Sequence, residues 1–194
     1  MKREEGGVRM SEIALEKLIQ EDQCDEVLQE LMIDYGQDVL QLVYSYVKSR
    51  EIAEDLTQEI FVKCYKALPT YKGQAKMKTW LWRIAINHCK DYFKSWHYRK
   101  VMVSEKLSLF SSPKQKSVEE EVIQKSEDES LVSVVMNLPI KYREVIYLFY
   151  FEEMSLKQIE ELIGIKQNTV KTRLRRAKEL LKDELKEAEQ WMKN

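Results

Sequence analysis

The stretch Ser155-Leu156-Lys157-Gln158-Ile159-Glu160-Glu161-Leu162-Ile163-Gly164-Ile165-Lys166-Gln167-Asn168-Thr169-Val170-Lys171-Thr172-Arg173-Leu174-Arg175-Arg176 decides the fold. Ser155 followed by Gln158 is a capping-box pattern, which starts a helix. Gly164 suits the left-handed residue that ends one. In the helix that follows, Val170, Leu174, Ala177, Leu181 and Leu185 fall on one narrow stripe at about 100° per residue, a core face. Asn168, Thr172, Arg175 and Arg176 lie on the far side, with Lys171 and Lys178 beside them. A capped helix, a tight turn and a second helix with a basic outer face make a rigid element for the major groove of duplex DNA. Asn can bond adenine edges, and Arg can bond guanine or phosphate. The first turn of such a helix reaches furthest toward the bases, and its dipole favours a phosphate nearby. Taken alone, this helix also fits a merely solvated cationic face. Upstream, Tyr142, Val145, Ile146, Leu148, Phe149 and Phe151 read as core.

The rest of the chain must explain why DNA is held. Its 194 residues suggest one or two small domains, and the 44% hydrophobic content suffices for real cores. Only 5 Gly and 3 Pro occur, few for a loop-rich all-β protein, while Glu, Lys, Leu and Gln dominate. The expectation is all-α. No apolar run approaches the roughly 18 residues that span a bilayer, and no signal-peptide core precedes the first helix. A cytoplasmic protein with no direct membrane insertion is expected. Cys24, Cys64 and Cys89 are far apart and odd in number, so they read as reduced thiols without zinc or disulfide spacing.

The net charge of −1 conceals a segregated pattern. Residues 11–38 hold nine acids against Lys17, net −8. Residues 72–100 hold eight bases against Asp91, net +7, and residues 166–182 hold seven against Glu179, net +6. Phosphate contact follows local sign, so two separate nucleic-acid surfaces are implied.

Composition divides the chain into a loose tail over 1–10, a helical block over 11–100 broken near Pro69–Gly73, a Ser-, Lys- and Gln-rich linker over 101–125, and a second helical block over 126–194. The architecture expected is two small helical domains, an N-terminal helical bundle and a C-terminal helix-turn-helix domain, joined by a flexible linker.

In a helix over 79–96, Leu81, Trp82, Ala85, Ile86, Cys89, Tyr92, Phe93 and Trp96 cover one broad apolar face. Arg83, Asn87, Lys90 and Lys94 form the opposite stripe, and Trp80 and Ile84 lie beside it. An apolar ring bordering cations is what a stacking platform for unpaired bases needs. Packing of Trp80 on a neighbouring helix fits the sequence equally well. The loop 69–78 carries Gly73 with Lys72, Lys76 and Lys78, which suits either an extruded-base cradle or a solvated basic loop. The helix over 51–67 buries Ala53, Leu56, Ile60, Cys64 and Ala67 and shows Asp55, Gln58, Glu59, Val62 and Lys66 on its other side. Asp55 and Glu59 share a face, but no third ligand stands at metal spacing on this helix. A solvated or protein-docking face is the better reading.

These residues resemble a family. Ile52-Ala53-Glu54-Asp55-Leu56-Thr57-Gln58-Glu59-Ile60-Phe61 is similar to the polymerase-docking helix of bacterial sigma factors. Lys78-Thr79-Trp80-Leu81-Trp82-Arg83-Ile84-Ala85-Ile86-Asn87 is similar to their promoter-melting helix, and Thr169-Val170-Lys171-Thr172-Arg173-Leu174-Arg175-Arg176-Ala177 to their second-domain recognition helix. The short two-domain plan resembles the extracytoplasmic-function (ECF) group over about residues 27–185. The resemblance implies an alternative sigma factor that binds core RNA polymerase, through the β′ clamp and the β flap, and directs promoter-specific initiation. It implies core-polymerase binding by Asp55, Gln58, Glu59 and Val62. Minus-ten DNA would be held by Lys72, Lys76, Lys78, Trp80, Arg83, Ile84, Asn87, Lys90 and Lys94. Minus-thirty-five DNA would be read by Lys166, Gln167, Asn168, Thr169, Lys171, Thr172, Arg173, Arg175, Arg176 and Lys178. It also implies an anti-sigma partner, often membrane-anchored in the group, and association with the nucleoid when polymerase-bound. Two departures stand out. Glu160 occupies a position where the family has a small residue, and Lys94 one where it often has Arg.

No catalytic residue, metal site or cofactor is expected. A nuclease using Asp55 and Glu59 would lack further ligands, a nucleophile–base pair and a glycine-rich phosphate loop. A stand-alone regulator with a C-terminal helix-turn-helix and an N-terminal sensor domain would leave the helix over 79–96 unexplained, and a gel shift without polymerase separates that reading from the sigma-factor one.

Overall fold

The structure, a computed structural model, describes residues 11–95 and 127–192, with side chains over 11–95 and 131–185. The tail 1–10, the linker 101–125, Trp96, Arg99 and Lys100 lie outside the described residues. All described regular structure is helical. The chain divides into two compact units, Met1–His88 and Cys89–Asn194, with the boundary inside one helix.

The first unit is built on α1 (Glu12–Gln20), α2 (Cys24–Val47), α3 (Arg50–Ala67), a 3-10 turn (Leu68–Thr70) and α4 (Met77–Lys94). Ser11 starts α1 by accepting from the Ala14 amide at 3.2 Å. Lys48 ends α2 in the left-handed region at φ 62°, and Ser49 starts α3 by accepting from the Ile52 amide at 3.3 Å. A connection this short folds α3 back along α2 as an antiparallel neighbour. Pro69 ends the α3 run, as the sequence indicated, because it cannot donate to a continuing helix. Val27, Leu31, Val39, Leu42 and Val43 of α2 are buried with Ala53, Leu56, Ile60, Phe61 and Cys64 of α3. From α4, Leu81, Trp82, Ala85 and Ile86 are buried as well, and Trp82 meets Tyr35 of α2 edge-on at 5.8 Å.

The second unit contains α5 (Glu127–Asn137), α6 (Ile140–Ile146), a π-helical segment (Tyr147–Phe151), α7 (Leu156–Ile163) and α8 (Gln167–Met192). Arg143 is buried and donates to the carbonyls of Met136 and, at 3.1 Å, Leu138, so its guanidinium satisfies the orphan carbonyls that end α5. Val145, Ile146 and Leu148 are core as expected. Phe151 is not: it is 60% exposed and stacks on Tyr147 at 5.5 Å. The π segment shifts the helical phase, and a stripe projected at ordinary α spacing fails at its end.

Candidate functional site

Local chemistry builds the helix-turn-helix as the sequence indicates. The Ser155 hydroxyl accepts from the Gln158 amide at 3.3 Å, and the Gln158 side chain accepts from the Ser155 amide at 2.8 Å. Such a box contributes about 1 kcal/mol. Gly164 closes α7 at φ 73°. Val170, Leu174 and Ala177 are buried, and Leu181 and Leu185 are half-buried, so the stripe holds α8 against its unit. Glu160 is half-buried, and α7 still packs on α8.

On the outer side of α8, Lys166, Asn168, Thr169, Lys171, Thr172, Arg175, Arg176 and Lys178 are exposed. Gln167 is half-buried, and the Thr172 hydroxyl bonds back to the Asn168 carbonyl at 2.8 Å. Arg173 turns inward, with Nη1 3.7 Å from the buried Glu144 carboxylate. It thereby supplies charge to the interior. Arg175 and Arg176 share one acid: Glu179 lies 3.9 Å from Arg175 Nε and 3.0 Å from Arg176 Nη1. The hydrogen bond to Glu179 is the main cause that raises the Arg176 pKa. Lys178 sits over the Tyr150 ring at 5.4 Å.

On α4, Arg83, Asn87 and Lys94 are exposed along one stripe, and Trp80, Ile84 and Lys90 are half-buried. Lys94 lies 3.9 Å from Asp91. Lys72 and Lys76 are exposed in the preceding loop. Lys78 is tied inward, 4.0 Å from Asp38 and 4.7 Å over the Trp82 ring. Trp80 packs edge-on against Tyr71 at 5.3 Å. Trp80 and Tyr71 thus form an aromatic pair from one helix and one loop.

Sequence reasoning missed the cover on this loop. Glu12 of α1 accepts from the Met77 amide at 3.3 Å, where its charge also complements the α4 dipole. Gly73 is left-handed at φ 67°, and a Cβ there would stand 2.5 Å from Glu16 Oε1. Burial first, and then the Glu12 and Glu16 charges, raise the Tyr71 pKa. The run of acids in the first helix was the available signal, but sequence spacing does not say where that helix lies.

On α3, Asp55, Gln58, Glu59 and Val62 are all exposed. Gln58 and Val62 join Thr57, Phe61 and Tyr65, with Leu28, Met32 and Gly36 of α2, to line an apolar groove. Glu59 is held at 2.8 Å by His88 Nε2, and Lys63 is 2.7 Å from His88 Nδ1. His88 is a second omission. It sits at helical spacing from Leu81 and Ala85, a polar residue inside an apolar stripe, which was the signal for it. Cys64 and Cys89 are buried, and desolvation pushes both thiols up to about 12. No cluster of metal-ligand type occurs among the described residues, and no described helix is long and apolar enough to cross a membrane.

Two stretches of the chain match known families. The sigma-70 region 2 model matches residues 31–97, and the sigma-70 region 4 model matches residues 128–181. The ECF sigma factor SigW of Bacillus subtilis is 33% identical over 160 residues, 79% of this chain and 86% of that protein. The sigma factor SigV of the same organism is 31% identical over 78% of this chain and 87% of its own length. The chain belongs to the ECF RNA polymerase sigma factors. This sigma factor binds core RNA polymerase and promoter DNA and directs promoter-specific transcription initiation. The fold is also that of solved sigma factors. RpoE of Bartonella quintana, in complex with the anti-sigma factor NepR, aligns with TM-score 0.61 and 21% identity over 81% of this chain and 95% of that one. CnrH, in complex with the cytosolic domain of CnrY, aligns with TM-score 0.59 and 18% identity over 89% and 97%.

Proposed function

We propose that initiation is divided between residues 11–100 and 126–194, with 101–125 as the linker. The α3 face of Asp55, Gln58, Glu59 and Val62, with the groove beside it, docks on the polymerase β′ clamp. The loop 69–78 and the α4 stripe open the minus-ten element and hold its non-template strand, with Trp80 and Tyr71 as the base-stacking pair. The exposed face of α8 reads the minus-thirty-five element as duplex, against the β flap. The sigma factor carries no catalysis of its own, and phosphodiester formation stays with the polymerase. It works in the bacterial cytoplasm, at the nucleoid when polymerase-bound. RpoE and CnrH were each solved with a partner, an anti-sigma factor for the first and a cytosolic domain for the second. That supports an inhibitor of the same kind here, membrane-anchored in the manner that a cytosolic domain suggests.

The observation that carries the division is two separate cationic faces, on α4 and α8, with an acidic and apolar face on α3 that suits protein better than DNA. Reconstitution tests it: the full chain and core polymerase on a bacterial promoter library should give promoter-specific transcripts. Output no greater than that of core alone refutes it. Tight duplex binding by the chain without polymerase would favour a stand-alone regulator instead.

A further inference from the structure

We propose that His88 is a positioning residue for polymerase docking: from the strand-opening helix it fixes the Glu59 carboxylate that the docking helix presents. The proposal rests on the reading of α3 as the docking helix. Glu59 and Lys63 stand four residues apart on α3, with the acid first, the arrangement that pairs directly on a helix surface. A direct pair would turn the carboxylate along its own helix and cancel its charge. Instead the His88 ring is inserted between them, 2.8 Å from Glu59 Oε2 and 2.7 Å from Lys63 Nζ. The ring's two nitrogens point apart, so the acid and the base are held on opposite edges of the imidazole.

The donors settle the tautomer. An ammonium has three protons and no lone pair, so Nδ1 accepts from Lys63 and the proton resides on Nε2, which donates to Glu59. The chain of bonds runs one way, from Lys63 through His88 to the carboxylate. His88 is anchored in the α4 interior with its side chain 9% exposed, whereas the Glu59 side chain is 62% exposed. A buried, rotamer-locked donor thus holds one oxygen of an exposed acid and leaves the other for a cationic partner. It also ties the docking helix to the helix that carries the minus-ten stripe.

The test is affinity of the full chain for core polymerase, measured with Glu59→Ala, His88→Leu, His88→Gln, Lys63→Met and the doubles with Glu59→Ala, alongside thermal melting. His88→Leu keeps volume without donor or acceptor, and His88→Gln restores both. Expected are losses of about two- to fivefold for Glu59→Ala and for His88→Leu, the range of one exposed charge pair. The double should lose no more than the worse single, and His88→Gln should recover most of the affinity. Lys63→Met should weaken docking in the parent background and change nothing beside Glu59→Ala. Because Lys63 is exposed, that arm holds even where His88→Leu melts early. No loss with Glu59→Ala refutes the docking role of Glu59 and the proposal with it. A loss with Glu59→Ala but none with His88→Leu overturns the positioning role alone. Additive losses overturn it too, since His88 would then act apart from Glu59.

Discussion

Replacing Glu179 with Gln removes one electrostatic restraint from α8, the proposed minus-thirty-five reader, and leaves its shape. Glu179 engages both neighbouring arginines, at 3.0 Å for Arg176 and 3.9 Å for Arg175. A DNA phosphate must displace this carboxylate from each guanidinium it takes. The pairs are solvent-exposed, so the fold does not depend on them. Each arginine recruited by phosphate steepens the fall of log K with log salt by about 0.9, and both together by at most about 1.8. Over a roughly fourfold rise in salt, from about 50 to 200 mM, E179Q should lose about 3- to 12-fold more affinity than the parent, and it should bind tighter at the low end. Fluorescence anisotropy of the full chain with core polymerase on a labelled minus-thirty-five duplex reads this slope. A slope equal to the parent's, or shallower, refutes the restraint. So does a gain that survives removal of both arginines, because it would then owe nothing to their release.

Asp55→Ala combined with Gln58→Ala should weaken core-polymerase binding while leaving the melting temperature within a degree or so, since both side chains are exposed; unchanged affinity removes them from the docking face. Trp80→Ala should impair permanganate-detected opening more than closed-complex formation, and equal losses would assign the Tyr71 contact to packing alone. Gly164→Ala meets no atom within 4 Å, so its cost is the left-handed backbone alone, about 1–2 kcal/mol, which lowers the melting temperature by several degrees; no shift would mean that the turn relaxes. Cys64 and Cys89, pushed up to about 12, should resist alkylation near neutral pH until urea is added. Their folded values lie above the unfolded one, so this contribution to stability is full below the ordinary thiol range and is lost as pH climbs toward 12. Alkylation in the native state at the denatured rate would refute the burial.

The helix-turn-helix was legible because its determinants are local: a cap and its partner three residues on, a glycine at the turn, a stripe along one helix. Arg83, Asn87 and Lys94 of the α4 stripe are exposed and were legible for the same reason, whereas Lys90 is half-buried, 3.0 Å from the Glu144 carboxylate. Arg173 was not, because the pattern that exposes its neighbours does not reveal the buried Glu144 that draws it inward. Phe151 failed where the helix changed its period. The loop was read as an open basic segment because Glu12 and Met77 are 65 residues apart, and no periodicity links them. His88 depended on the packing of α4 against α3, which neither helix announces alone.

Under the proposed division, the carboxylates over that loop change what strand entry exchanges. A nucleic acid carries a condensed cloud of cations, and each lysine that neutralises a phosphate releases part of that cloud into solution as an entropic gain. Here Asp38 stands beside Lys78, and Glu12 and Glu16 lie against the loop backbone, so the charge of the loop is already partly balanced by acids of the chain itself. A phosphate arriving there swaps places with a tethered acid that cannot diffuse away. Fewer ions leave than the lysines would imply. Strand capture by the loop should therefore be less sensitive to ionic strength than duplex reading by the second unit.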